Sequence, residues 1–423
     1  MYYFHHGKIN IKYNILIKYH IKWGVLMFSK FKISKKDTCP CGSGKTFGQC
    51  CYLKESKQFH NEKEALSIIS KNSRKSRINI CLCSGCKSKA IGAHALQENG
   101  VLSKLALDKY ILMQNKKEDA TMLEIEKGFK EPLYFLSEVL IKDATVQTCF
   151  CKKHDDKIFE DIEKYNKVFS PTNLKQLFLF TYRTFSFEYY TEIISNKFYI
   201  NMFKDVPQLM KNPIVVANYK ESLKKKEEMD YYKNYFDDII INEKYSELST
   251  VAIEFPYTIK FANYMCIAPN FDLRGNKINV FDKKSKMMRR VFITSFPKED
   301  KSYILISVLK KDLNTYEKYL KSFEQVSQEV IKYYFNSIIP LISENLILSP
   351  ELWDEWDEIG QGVIQTVVSE PNPTALLVAL KFYLCNLSKK DTTDFVLKNI
   401  KYNLFGEKNI NFKINIIKNQ VSF

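Results

Sequence analysis

Eleven cysteines stand in this chain, and nine of them fall between residues 39 and 151, most in close pairs. The first set is Cys39, Cys41, Cys50 and Cys51, in the stretch Thr38-Cys39-Pro40-Cys41-Gly42-Ser43-Gly44-Lys45-Thr46-Phe47-Gly48-Gln49-Cys50-Cys51. Four thiolates at about 2.3 Å from one ion satisfy tetrahedral zinc. Pro40 stiffens the first ligand loop, and Gly42 and Gly44 permit the tight turn that lets the ligands converge. The second set is spread out, as Cys81-Leu82-Cys83-Ser84-Gly85-Cys86 and, far downstream, Cys149-Phe150-Cys151-Lys152-Lys153-His154. Cys151 and His154, three apart at the start of a helix, can face one ion, and the Cys81–Cys86 knuckle can supply the other two ligands. Cys83 is the alternative to Cys81, and Cys149 is expected as a neighbour of the site. Two structural zinc ions are therefore expected, against the plainer alternative of buried cysteines without metal.

The first stretch resembles, residue for residue, the SEC-C motif, a small zinc module named from the C-terminus of the SecA translocation ATPase. Its last ligand is His or Cys, here Cys51. The second set looks like a treble-clef zinc finger. Inside it lies Lys89-Ala90-Ile91-Gly92-Ala93-His94-Ala95-Leu96-Gln97-Glu98-Asn99-Gly100, and a strand ending in His within such a module is similar to the HNH nucleases. That resemblance implies His94 as general base on water, Asn99 orienting His94 or the substrate, and Asp155, beside Asp156, holding magnesium or another divalent ion. The chain departs from the pattern in three ways. Ala93 stands where an acidic or second His residue often precedes the base, His154 is committed to zinc, and about fifty residues separate His94 from the second pair. Most of the chain also resembles uncharacterised bacterial proteins that carry an N-terminal SEC-C motif, some of which look like phage-defence components.

Gly42-Ser43-Gly44-Lys45-Thr46 superficially resembles a phosphate-binding loop. That motif requires Gly five positions before Gly44, where Cys39 stands, and no buried strand leads in. A nucleotide site is excluded there.

The net charge of +16 is unevenly placed: residues 1–80 hold 16 Lys and Arg against 4 Asp and Glu, and the other 343 residues carry only +4. A concentrated basic segment favours a polyanion, nucleic acid first and an anionic membrane surface second, over a merely solvated face. Residues Lys30, Lys32, Lys35, Lys36, Lys45, Lys54, Lys57, Arg74, Lys75 and Arg77 are the expected phosphate contacts. The apolar stretch 14–28 is interrupted by Lys18 and Lys22 and is too short to span a bilayer. Disulfides favour secreted chains and no signal peptide is legible, so a reducing cytoplasm is expected, where paired cysteines mean metal. Residues 1–26 differ in texture from the rest, and Met27 offers an alternative start.

The elements that must position these residues follow from periodicity. A short helix is expected over 61–72, then a basic linker over 71–77. Ser170-Pro171-Thr172 marks a helix start, with Leu174, Leu177, Phe178, Phe185, Tyr189 and Ile193 at helical spacing. This aromatic helix is expected as core. Strands are expected over 251–255, 258–265, 277–281, 290–296 and 303–308, joined by Pro256, Pro269, Gly275-Asn276 and Pro297. A helix over 315–339 and another opened by Ser349-Pro350-Glu351 close the reading. Lys283, Lys284, Lys286, Arg289 and Arg290 form a basic patch, read either as phosphate contacts or as a solvated strand edge.

The expected fold is multi-domain α+β: two small zinc modules, a helical region, then an antiparallel sheet with packed helices. The expected segments are a basic N-terminal stretch (1–37), the SEC-C motif (38–52), the treble-clef module (78–165), the helical region (170–245) and an α+β domain (246–423). Three function classes follow: a zinc-dependent nucleic-acid-binding protein, an HNH-like endonuclease using His94, and a protein–protein adaptor working through the SEC-C motif.

Overall fold

The structure is a computed structural model, and it describes residues 32–59, 62–114, 136–164, 167–283, 286–370, 373–387, 401–406 and 413–419. Most of the basic stretch 1–37, including Lys30 and the alternative start at Met27, lies outside these residues, as does Lys284. In chain order the main elements are α1 (Glu62–Ser76), β1 (Ala93–His94), β2 (Tyr110–Gln114), β3 (Leu136–Leu140), β4 (Val146–Gln147), α2 (Lys152–Ile158), α3 (Leu174–Asp205), α4 (Pro213–Ile241), β5 (Leu248–Phe255), β6 (Phe261–Ile267), β7 (Phe281–Asp282), β8 (Met287–Met288), β9 (Val291–Lys298), β10 (Lys301–Leu309), α5 (Leu313–Ser322), α6 (Gln328–Ile342), β11 (Ile347–Leu348), α7 (Pro350–Asp354), α8 (Glu358–Val368), α9 (Thr374–Leu387) and β12 (Asn415–Asn419). The fold is thus mixed α and β, with an antiparallel sheet and packed helices. Among the described residues, no helix is long and apolar enough to cross a membrane.

The chain divides into two compact units, neither of them one continuous stretch. The first takes residues up to 77 together with 191–229. Its core joins Phe47, Ile68 and Ile69 to Met202, Phe203, Val206, Leu209 and Met210. Burying polar groups costs unless they are paired, and here they are. Asn72 gives its amide to Asp205 at 3.2 Å, Asn201 donates to the Ser76 hydroxyl at 3.0 Å, and Gln208 makes a reciprocal pair with the Lys57 backbone at 3.0 and 2.7 Å.

The second unit takes 78–118, 133–190 and 230–423. Its frame is an eight-stranded sheet in the order β12-β5-β10-β9-β6-β11-β2-β3, antiparallel at every pairing. The central strands are buried on both faces: every residue of β5 and all but the first of β10 are buried, with Thr250 and Ser307 paired at 2.9 Å. On one face Ile253, Ile293, Ile304 and Ile306 pack with Tyr316, Tyr319, Tyr334 and Ile338 of α5 and α6. On the other, α3 lays Phe180 flat on Phe296 at 4.3 Å between ring centroids, sets Phe185 edge-on to Phe292, and joins Thr184 to Thr294 by a 2.7 Å hydrogen bond.

Three local expectations are corrected. Helix α3 begins at Leu174, where the Asn173 carboxamide oxygen accepts the Gln176 amide at 3.1 Å, and not at Ser170-Pro171. The helix expected over 315–339 is two, because Ser327 caps a fresh start with its hydroxyl on the Val330 amide. The strand expected over 277–281 is reduced to β7; the Asp272 carboxylate instead accepts the Arg274 and Asn276 amides, and Gly275 at φ +76° turns the chain.

Candidate metal centres

In the first unit the stretch 38–46 forms a closed knuckle. Thr38 bridges Thr46, and the Cys39 amide donates to the Lys45 carbonyl at 2.8 Å. Gly42 and Gly44 both sit at φ +75°, a left-handed backbone that a side chain would strain. Two 3₁₀ turns, Phe47–Gln49 and Cys51–Leu53, then return Cys50 and Cys51 to the knuckle. The Sγ atoms of Cys39, Cys41, Cys50 and Cys51 converge within 4.8 Å of one another. Cys41 to Cys50 and Cys50 to Cys51 both measure 3.7 Å between sulfurs. A tetrahedron with about 2.3 Å Zn–S bonds has edges of about 3.8 Å, whereas a disulfide needs about 2.05 Å. The donor set therefore fits a four-coordinate soft cation.

The electrostatics agree. Burial pushes the Cys51 thiol well up, reinforced by Cys39, Cys41 and Cys50. At Cys41 burial also pushes up, but the Ser43 hydroxyl and the neighbouring thiols prevail and bring it down to about 6. Four thiols this close cannot all ionise without a cation to compensate them.

In the second unit Ile80 bridges Lys89 around the turn at Gly85 (φ +73°). This hairpin is stitched to the distant pair by backbone bonds: the Leu82 amide to the Cys149 carbonyl and the Ile91 amide to the Phe150 carbonyl, both 2.8 Å. Strand β1 pairs directly with β4, and α2 starts with Cys151 at its N-cap. The roughly fifty intervening residues are thereby explained: they leave β1, supply β2 and β3 to the large sheet, and return at β4. Cys81, Cys86, Cys151 and His154 converge within 4.8 Å. The His154 Nδ1 lies 3.4 Å from the Cys81 sulfur and 3.3 Å from that of Cys151, and Cys86 lies 4.0 Å from Cys151. Tetrahedral zinc with sulfur and imidazole ligands calls for about 3.6 Å between S and N. Cys83 and Cys149 belong to neither group. The buried Cys149 thiol points to the Ser186 carbonyl at 3.7 Å.

His94 ends β1, half-buried, with Nδ1 donating to the Ala144 carbonyl at 2.8 Å and Nε2 3.2 Å from the Glu98 carboxylate. Asp155 lies in the first turn of α2 and is 3.5 Å from Arg183, which also holds Glu163. Burial raises the Asp155 carboxyl against the pull of Arg183, and His94 is near enough to act on it in the same sense as Arg183. His94 and Asp155 are part of no converging ligand group among the described residues, and Asn99 is exposed on the turn Glu98–Leu102. Glu98 and Arg183 are partners of His94 and Asp155 that sequence reading missed. Glu98 carried a signal, four residues after His94; Arg183 carried none, sitting in an aromatic helix.

One family description matches the chain: the SEC-C motif, over residues 36–53. No curated protein and no solved structure matches it.

Proposed function

We propose that this chain is a zinc-stapled, nucleic-acid-binding protein, with one ion held by Cys39, Cys41, Cys50 and Cys51 and another by Cys81, Cys86, Cys151 and His154. The zinc ions supply crosslinks and no reaction. The observation that carries the nucleic-acid reading is the surface around the first cysteine group. Lys32, Lys35, Lys36, Lys45 and Lys54 are all exposed there, and Asp37 and Glu55 are the acids in the same stretch. Farther along, Arg74, Lys75 and Arg77 are exposed at the end of α1. Phosphate neutralisation releases counterions, so log affinity must fall linearly with log salt, by about 0.9 per duplex phosphate contacted. Replacing Lys35, Lys36, Lys45 and Lys54 by Glu lowers both the affinity and that slope. Binding indifferent to salt, or absent, removes the reading.

A second reading, an HNH-like endonuclease, is supported by one observation: β1, β4 and α2 form a ββα unit beside the converging Cys81, Cys86, Cys151 and His154, with His94 held through Nδ1 on the Ala144 carbonyl. Its Nε2 lies 3.2 Å from the Glu98 carboxylate, and on this reading it is the nitrogen that takes a proton from water once Glu98 gives way. Incubation of the purified chain with DNA and RNA in magnesium, manganese or nickel tests it. His94→Ala should lower cleavage at least about 100-fold with zinc content unchanged. No cleavage by the wild type under any of these conditions leaves His94 as a structural hydrogen-bonding residue.

A further inference from the structure

Against the first cysteine group, within the first unit, lies a cavity of about 240 Å³ lined by Lys32, Ile33, Phe47, Tyr52, Met210, Lys211 and Pro213. It is smaller than the roughly 300–1,000 Å³ that drug-sized ligands fill, which leaves room for a single ring-sized group. Its wall is aromatic. Phe47 is buried and meets Tyr52 edge-on at 5.7 Å, which fixes the Tyr52 ring while leaving it 38% exposed. Its rim is positive. The ammonium of Lys35 lies 4.1 Å from the Tyr52 ring centroid and that of Lys211 5.5 Å. Lys220 donates to the Lys32 carbonyl at 3.1 Å and adds a further charge. Among the described residues, no carboxylate forms an ion pair with Lys32, Lys35 or Lys211. These cations rest on an aromatic face, a weak contact at an exposed ring, and a phosphate offers each of them a stronger charge-assisted bond.

We propose that this groove takes a single-stranded nucleic acid, with one base stacked on Tyr52 and the adjoining phosphates held by Lys35 and Lys211. The inference rests on the nucleic-acid-binding reading and sharpens it. Only an unpaired strand can deliver a base into a cavity of this size, because a duplex keeps its bases stacked inside. Lys35 and Lys211 lie over the Tyr52 ring, so an incoming base displaces an ammonium from the face and the freed lysine moves to the adjoining phosphate; an aromatic ring with mobile cations beside it is how sequence-tolerant single-strand binding works.

The test uses the full zinc-loaded chain and fluorescence anisotropy. The probes are a labelled oligothymidylate and an oligouridylate of about 15 nucleotides, near the upper single-strand site size, together with a duplex of the same length. Tyr52→Ala should weaken single-strand binding on the order of 10-fold with the salt slope and zinc content unchanged, and Tyr52→Phe should bind as wild type. Tyr52→Leu keeps apolar bulk against Phe47 and must show the same loss as Ala, which separates stacking from folding. Lys211→Gln should lower the salt slope by roughly 0.7, the value for one single-strand phosphate. Wild-type affinity in both Tyr52→Ala and Tyr52→Leu overturns the groove while leaving the basic surface intact. Equal affinity for duplex overturns the single-strand assignment. Poly-glutamate that displaces the oligothymidylate at equal charge concentration, with its own binding lost in Tyr52→Leu, reassigns the groove to an acidic peptide. No binding of any nucleic acid overturns this inference together with the reading beneath it.

Discussion

The two cysteine groups solve the same coordination problem at different chain separations. From Cys39 to Cys51 the first group is local: its knuckle, turns and ligands come from one short stretch, and its backbone bonds run between near neighbours. The second joins Cys81 and Cys86 to Cys151 and His154, across a segment that supplies β2 and β3 to the sheet. A local group organises a module. A long-range group clamps the stem of an insertion, and closing a long loop removes more unfolded-state entropy than closing a short one.

The largest effect follows from that difference. Cys151→Ser removes a buried ligand at the N-cap of α2 and opens the loop back to Cys86. Loop closure by a disulfide contributes roughly 3 kcal/mol for a 15-residue loop and roughly 4.7 kcal/mol for a 100-residue one, and by the same loop-closure argument about 4 kcal/mol is expected here. Denaturant unfolding measures it, and hydrogen exchange should show protection lost together across β1, β4 and α2. Cys50→Ser comes next, at about 3 kcal/mol, with exchange confined to residues 32–59 and the core they pack on, while β5 and β10 stay protected. Should Cys50→Ser prove the costlier, the clamp interpretation fails.

Metal content sharpens the same contrast. The purified wild type should carry two equivalents of zinc, and each of these two variants one. A chelator should strip the two ions in separable phases, the second group first, since Cys86 and His154 are both half-buried there whereas in the first group only Cys50 is. A single equivalent in the wild type would dissolve the comparison altogether.

What could be read from sequence divides along the same line. The first group was legible whole because its geometry is encoded in consecutive residues, down to the glycines at positive φ. The second was legible as a set, Cys81 and Cys86 with Cys151 and His154, but the path of the chain between its two halves was not. Nothing in the local pattern says that Leu82 will bond to Cys149, or that the chain between β1 and β4 will leave to build a sheet. Strands β5, β6, β9 and β10 were legible from runs of apolar, β-branched and aromatic residues set between turn formers. Strand β11 has two residues and acquires meaning only by bridging β2 and β6; β2 and β12, five residues each, are too short for a periodic signal. Arg183 illustrates the limit: among Phe180, Tyr182 and Phe185 it reads as an interruption of a core helix, and becomes intelligible once Asp155 and Glu163 are folded against it.

The smallest expected effect tests the ligand choice itself. Cys83 lies two residues from Cys81 in the same knuckle and is a chemically equal claimant, yet it stands outside the converging group. Burial raises its thiol above the usual range, with Lys233 pulling the other way and Asp237 adding to the rise, so in the absence of metal it stays a neutral, half-buried thiol. A neutral thiol outside the coordination sphere has no zinc bond to lose. Cys83→Ser exchanges a thiol for a hydroxyl of similar size at a half-buried position, and with no ligand lost the cost should stay within about 1 kcal/mol, the centre of the range for point substitutions. Two equivalents of zinc should remain, and the unfolding midpoint should scarcely move. Cys81→Ser, by contrast, should lose one equivalent and approach the Cys151→Ser midpoint, because both break the same clamp. If instead Cys83→Ser loses zinc and Cys81→Ser keeps it, the knuckle presents the other thiol. The long-range group would then be clamped two residues farther along the hairpin, on the side facing Lys233 and Asp237 of α4.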